Sequence, residues 1–348
     1  MIRVLIVDDS ALMRKILERI LRSDPEIRVA GCACSGEEAL AFLATERADV
    51  VTMDIHMGGM DGFEATRRIM ESDAPRPVVI VSSCWDPMEV EKTFQAMDAG
   101  AVAILPKPAD IASGAEEYAR ELLETIKTAA QSTVARLRKR SPQPTFRKAA
   151  AARKRDIRIA AIGASTGGPQ ALSAFLAGLP AEFPCPLLVV QHMAPGFTRG
   201  LAEWLDKVTP LTVRIAAEGD IPRNGTVSVA PEGAHMTVAP GGAIRLTDDP
   251  PEHMVRPSAS RLFRSVASVY GKNAAALLFS GMGADGAEEL KQLRDLGAAT
   301  FAQNRETSVV WGMPGEAVRR NAAEFVDSPP VLASLLTEIS GAADSPRS

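Results

Sequence analysis

Cysteine is nearly missing from this sequence: Cys32, Cys34, Cys84 and Cys185 are the only four in 348 residues. Four thiols in a chain of this length do not make a disulfide scaffold. Cys32 and Cys34 form a C-x-C pair with no second pair of ligands to match, so burial as small apolar residues is expected rather than a zinc site. Aromatic residues amount to 5%, too few for a platform on which bases stack. A surplus of one charge is lacking as well. The 39 Lys and Arg against 43 Asp and Glu leave −4, so the chain as a whole is not drawn to nucleic acid. Long apolar runs are absent. The longest uncharged stretch, residues 159–181, is full of Gly, Ser, Thr, Pro and Gln and does not read as a membrane span. The N-terminus has no signal-peptide pattern, which makes the cytoplasm the expected compartment. What remains is ordinary globular composition, 46% hydrophobic and 24% charged.

At roughly 100 to 200 residues per domain, the length predicts two domains. Residues 1–128 alternate short apolar runs (2–7, 28–33, 50–53, 77–81 and 101–105) with amphipathic stretches. In the first such stretch Leu12, Ile16, Ile20 and Leu21 share one helical face behind a capping Ser10. Uniformly apolar strands between helices predict a parallel sheet covered on both faces, here a doubly wound domain of flavodoxin-like type. Residues 129–155 break the pattern. They hold nine Lys or Arg from Arg136 to Arg155 without an acid, and Pro142 and Pro144 interrupt any helix. This segment reads as an exposed basic linker. From residue 156 onward the alternation resumes, with strands expected at 157–162, 187–191, 274–279 and 299–302. Helices are expected at 168–177, 199–207, 258–269, 284–296 and 330–339. Residues 213–246, rich in Gly, Pro, Val and Thr, read as hairpins inserted in a second, mostly parallel α/β domain spanning 156–348.

In the first domain, Asp8 and Asp9 follow the first strand, Asp54 the third, Ser82 and Ser83 the fourth and Lys107 the fifth. Strand ends of a parallel sheet line one crevice. Three carboxylates there repel one another unless a cation neutralises them, and oxygen ligands favour Mg²⁺. A lysine and a hydroxyl beside them suit a phosphoryl group, with Asp54 as acceptor. The bland alternative, acids that merely cap helices, accounts for Asp8 and Asp9 but not for all five placements. With the Met60-Asp61-Gly62 turn and Leu105-Pro106-Lys107-Pro108, the constellation resembles the receiver domain of bacterial response regulators. The resemblance implies phosphorylation of Asp54 by a histidine kinase. It assigns Mg²⁺ to Asp8, Asp9 and Asp54, and the phosphoryl group to Ser82 and Lys107. Gly58, where proline is usual, and Ile104, where an aromatic is common, depart from that pattern. The second departure tells against an aromatic switch.

A receiver needs an output, and no compact helix-turn-helix pattern follows the linker. Ser165 follows the 157–162 strand in Gly163-Ala164-Ser165-Thr166-Gly167-Gly168, His192 follows 187–191, and Asp285 lies beyond 274–279. A hydroxyl nucleophile, an imidazole base and an orienting carboxylate at one sheet edge fit nucleophilic hydrolysis. Each has another reading: a glycine-rich phosphate loop, a core histidine, a helix cap. The loop does not, however, have the G-x-G-x-x-G spacing.

The stretches around these residues, together with residues 190–198, 230–236, Arg256-Pro257-Ser258 and Trp311-Gly312-Met313-Pro314, resemble the chemotaxis protein-glutamate methylesterase (CheB) family over nearly the whole chain. Ser280 stands where threonine is common. The resemblance implies hydrolysis of glutamate γ-methyl esters on chemoreceptors, with release of methanol, and in some relatives deamidation of receptor glutamines. It makes Ser165 the nucleophile, His192 the base, Asp285 its orienter, and the backbone N–H groups of Thr166 and Met282 the oxyanion donors, with no metal needed for hydrolysis. It further implies a receiver that restrains the output until phosphorylated. His235 is expected to shape the cleft. A phosphorylation-gated adaptor without turnover is the other class, and methanol release separates the two.

Overall fold

The computed structural model describes residues 1–82, 93–97, 99–108, 115–131 and 154–341, and these form two compact α/β units. Ser83, Cys84 and most of the basic linker lie outside the described residues.

The first unit is a five-stranded sheet of β1 (Ile2–Val7), β2 (Ile27–Ala33), β3 (Val50–Met53), β4 (Val78–Ser82) and β5 (Ala103–Pro106). Its order is β2-β1-β3-β4-β5, and every pair is parallel. Its helices are α1 (Ala11–Leu21), α2 (Gly36–Thr45), α3 (Gly62–Glu71), a helical piece at 93–97 (α4) and α5 (Ala115–Gln131). The flavodoxin-like expectation is met. Side chains start three of the helices: Ser10, Ser35 and Asp61 each accept a backbone N–H three residues on. Strands β3 and β4 are buried along their whole length, as covering on both faces requires. The strand order reverses at β1, which opens a crevice at the carboxyl ends of β1 and β3. Helix α5 continues to Gln131, so the predicted boundary at 128 falls inside its last turn.

The second unit is a seven-stranded parallel sheet in the order β14-β13-β12-β6-β7-β9-β8. Its strands are β6 (Ile159–Ala164), β7 (Leu187–Gln191), β8 (Thr212–Ile215), β9 (Thr226–Val229), β12 (Ala274–Leu278), β13 (Ala299–Gln303) and β14 (Phe325–Asp327). Strands β10 (His235–Val238) and β11 (Ile244–Thr247) pair separately and antiparallel. Helices α6 (Gly168–Leu176), α7 (Thr198–Val208), α8 (Ala259–Tyr270), α9 (Ala287–Asp295), α10 (Met313–Arg319) and α11 (Pro329–Ser340) cover it.

Residues 213–246 do not form the run of hairpins expected from their composition. Only β10–β11 is a hairpin; β8 and β9 run parallel to each other and to β7. Residues 216–225 carry the chain back over, and their glycines, Gly219 and Gly225, serve tight turns inside that crossover (Asp220 N to Ala217 O and Thr226 N to Arg223 O, 3.2 Å each) rather than a hairpin joining β8 to β9. Strand β14 and helix α10 were not anticipated either. Leu262, Phe263 and Val266 of α8 are fully buried in one cluster with Leu290 and Leu293 of α9 and Met236 of β10. Each such side chain contributes roughly 1.5–3 kcal/mol of transfer free energy. That packing fixes the start of α8 against the sheet edge where the site lies.

Candidate functional site

In the first unit the carboxyl ends of β1, β3 and β5 bring Asp8, Asp54 and Lys107 together. Lys107 Nζ lies 2.7 Å from Asp54 Oδ2 and 3.2 Å from Asp8 Oδ2. Asp8, Asp9 and Asp54 each offer an oxygen within 4.8 Å of the others. Asp8 and Asp54 are buried and Asp9 is exposed. Burial pushes the Asp54 carboxyl up to about 6, against the pull of Lys107 and helped by the charge of Asp8. Burial raises Asp8 in the same way. On Lys107 burial works against the charge, yet its two carboxylate partners hold it above the ordinary lysine range. One ammonium does not neutralise three carboxylates, and hard oxygen donors so close together suit a divalent cation such as Mg²⁺.

Ser82 is the last residue of β4 rather than the first beyond it; it is buried, and its hydroxyl accepts from Thr93 Oγ1 at 3.2 Å. The turn after β3 explains the Asp61-Gly62 pair. Asp61 caps α3, and a Cβ on Gly62 would stand 2.0 Å from the Asp54 carbonyl oxygen. Only glycine lets α3 start that close to Asp54. His56 is exposed and its backbone N–H donates to Asp54 Oδ1 at 3.3 Å, while its ring is outside the carboxylate cluster.

In the second unit, β12, β6 and β7 are neighbours and parallel, so the three predicted residues emerge at one edge. His192 Nε2 lies 2.9 Å from Asp285 Oδ2 across 93 residues of sequence. Asp285 is 3% exposed. Its Oδ1 also accepts from Ser258 Oγ at 2.7 Å and from Ser260 N at 3.0 Å, and its Oδ2 from Ala259 N at 2.6 Å. Burial alone would raise the Asp285 carboxyl. The hydrogen bond and charge of His192, the Ser258 hydroxyl and the Ser260 N–H outweigh it and hold the group well below the usual carboxylate range. An ionised carboxylate only accepts, so His192 carries its proton on Nε2 and leaves Nδ1 as a base.

Ser165 is half-buried in the loop between β6 and α6. Its hydroxyl makes no hydrogen bond to His192 in this structure; what the fold fixes is the backbone on either side. Gln191 Nε2 donates to the carbonyls of both Ser165 and His192, each at 2.8 Å. The Ser165 N–H donates to the Ser280 carbonyl at 3.0 Å. A Cβ on Gly281 would meet Ser165 Cβ at 2.7 Å, so a glycine there lets the loop after β12 close on the serine. The Ser280 hydroxyl ties Thr166 O at 2.7 Å to the Val310 N–H at 3.0 Å, a role that a threonine hydroxyl would also fill. Thr166 is half-buried and Met282 is 45% exposed, both beside Ser165 along these loops.

Three supporting residues escaped the sequence reading. Gln191 and Ser258 sat inside motifs already singled out, next to His192 and after Pro257, but only the fold reveals their partners. Gln303, whose Oε1 accepts the Ser280 N–H at 2.8 Å, had no signal. His235 is fully buried, with Nε2 toward the Pro250 carbonyl at 3.1 Å, and lies outside the His192–Asp285 pair. His253 is an exposed turn residue.

The family model described as CheB methylesterase matches residues 160–336, and that of the response regulator receiver domain matches residues 4–118. The chain is 47% identical to "protein-glutamate methylesterase/protein-glutamine glutaminase 1" of Syntrophus aciditrophicus, over 98% of this chain and 99% of that one. It is 49% identical to a protein of Nitrosospira multiformis with the same name, unnumbered, over 97% of each. The crystal structure of the Thermotoga maritima CheB methylesterase catalytic domain is similar, with TM-score 0.51 and 34% identity over 53% of this chain and 98% of that one.

Proposed function

This chain belongs to the CheB methylesterase family and carries a response-regulator receiver domain, and from that premise we propose that Ser165, His192 and Asp285 hydrolyse glutamate γ-methyl esters of chemotaxis receptors under control of phosphorylation at Asp54. The observation that carries the reading is the 2.9 Å contact of His192 Nε2 with a buried, ionised Asp285, beside a serine on the adjacent strand end.

The Ser165 hydroxyl attacks the ester carbonyl while His192 Nδ1 takes its proton. Asp285 holds the ring in that tautomer and stabilises the imidazolium that forms. The backbone N–H groups of Thr166 and Met282 are assigned to the oxyanion, from their place beside Ser165 and the family resemblance. The imidazolium returns its proton to the departing methoxide, so methanol leaves and an acyl-serine remains. Water, deprotonated by the same Nδ1, then releases the free glutamate and restores the serine. A receptor glutamine enters the same sequence with ammonia as the leaving group. Hydrolysis by this route uses the chain's own residues.

In the receiver, Asp54 is the acceptor and a histidine kinase the donor. Asp8, Asp9 and Asp54 would hold Mg²⁺, which screens charge between the incoming phosphoryl oxygens and the carboxylates. Lys107 is positioned to turn from Asp54 toward a phosphoryl group, and Ser82 closes the pocket on the β4 side. Among the described residues no helix is long and apolar enough to cross a membrane, and substrate and kinase are met in the cytoplasm. The test is methanol release from a panel of methylated receptors with and without acetyl phosphate. Stimulation is expected in the wild type and lost in Asp54→Asn, with basal release retained. Stimulation that survives the substitution would put the acceptor elsewhere.

A further inference from the structure

Ser258 stands at the N-cap of α8, where serine ordinarily accepts a backbone N–H of its own first turn. It makes no such bond here. Its hydroxyl, fully buried, instead donates to Asp285 Oδ1 at 2.7 Å. The capping is done from outside the helix. Asp285 takes the first-turn N–H groups of Ala259 and Ser260, at 2.6 Å and 3.0 Å, and the Ser260 hydroxyl in return accepts the Gly286 N–H at 2.9 Å. The loop after β12 and the start of α8 thus cap each other. Each Asp285 oxygen has two donors: Ser258 and Ser260 on Oδ1, Ala259 and His192 on Oδ2. A carboxylate filled in this way cannot swing, and its second oxygen is aimed at the imidazole.

We infer that Ser258 is a positioning residue of the hydrolytic site, a fourth member that acts through Asp285 on His192. This rests on the triad proposed above. Apart from His192 itself, the hydroxyl is the one donor of the set that a side-chain substitution removes without touching the backbone. Without it, Oδ1 keeps a single donor, charge builds up on the carboxylate, and the proton on His192 is held more firmly. The positive end of α8 remains in place, so the effect is partial rather than total.

The experiment compares wild type, Ser258→Ala and Ser258→Thr in the full-length protein, with methylated receptor as substrate across a pH series. In Ser258→Ala, kcat is expected to fall about tenfold with KM within about twofold, since the hydroxyl touches no substrate. The acid limb of kcat/KM is expected to move upward by as much as about one pH unit, on the order of one charge-assisted hydrogen bond. Ser258→Thr keeps the hydroxyl and is expected to restore both. Should the alanine variant not fold, Ser258→Cys, nearly isosteric and a much weaker donor, takes its place with the same expectation. A wild-type kcat and acid limb in a folded variant, even with a lowered melting temperature, would make Ser258 merely structural and overturn the inference. Ser165→Ala and His192→Ala run alongside. Their inactivity with a normal Ser258→Ala sinks this inference alone, whereas their activity sinks the triad itself.

Discussion

Two buried aspartates, one in each unit, are tuned in opposite directions by the same physics. Asp285 has four donors and is held ionised. Asp54 has one lysine and one long backbone contact against burial, and rises to about 6. The consequence for stability follows from linkage. The folded chain keeps the Asp54 proton between about pH 4, where an unfolded aspartate releases it, and about 6. Stability from this group is therefore fully present below about pH 4 and lost as pH rises through 6. With divalent cations chelated, Asp54→Asn should stabilise the first unit at pH 7 by up to about 3 kcal/mol, and the gain should shrink toward pH 4. Hydrogen exchange at the β1 and β3 amides reads this directly. A gain that grows as pH falls would reverse the sign. At this scale the sequence was informative about acids, lysine, serine and histidine at strand ends, because a parallel sheet gathers those ends. It was silent on Ser258 and Gln191, whose partners lie far away or on backbone carbonyls.

Among the elements, the site depends on loops that approach one another more closely than a side chain allows. Gly281 faces Ser165 Cβ, and an added Cβ there would also stand 2.5 Å from Met313 Sδ. Gly281→Ala must push the serine loop aside, and a displacement near 1 Å costs about 10²-fold in rate. The expected signature is a kcat lowered by about that factor with a modest fall in melting temperature, read by methanol release and circular dichroism. An unchanged kcat would mean that the loop absorbs the methyl group elsewhere. The strand–helix alternation was legible for the same reason that these loops lie together: apolar runs and helical periodicity are local. Strands β8 and β9 were misjudged because turn-forming residues look alike in a hairpin and in a crossover. Direction is set by pairing with β7, a long-range fact. Strand β14, three residues long and only partly buried, leaves no periodic trace.

At the scale of the whole molecule, length and composition alone imply a near-neutral two-domain chain and conceal both sites within its 43 acids. Four of those acids, Asp8, Asp9, Asp54 and Asp285, now have distinct chemical places. The first unit gathers carboxylates in an arrangement that suits a cation, and the second sets one buried carboxylate against an imidazole. The measurement that bears most directly on the central claim is methanol release from methylated receptor by wild type and Ser165→Ala, both folded and both given phosphodonor. Wild type should release methanol, and the variant should fall by more than about 10³-fold in kcat. A folded Ser165→Ala that keeps most of the wild-type rate would contradict the assignment of Ser165, His192 and Asp285 as the hydrolytic site.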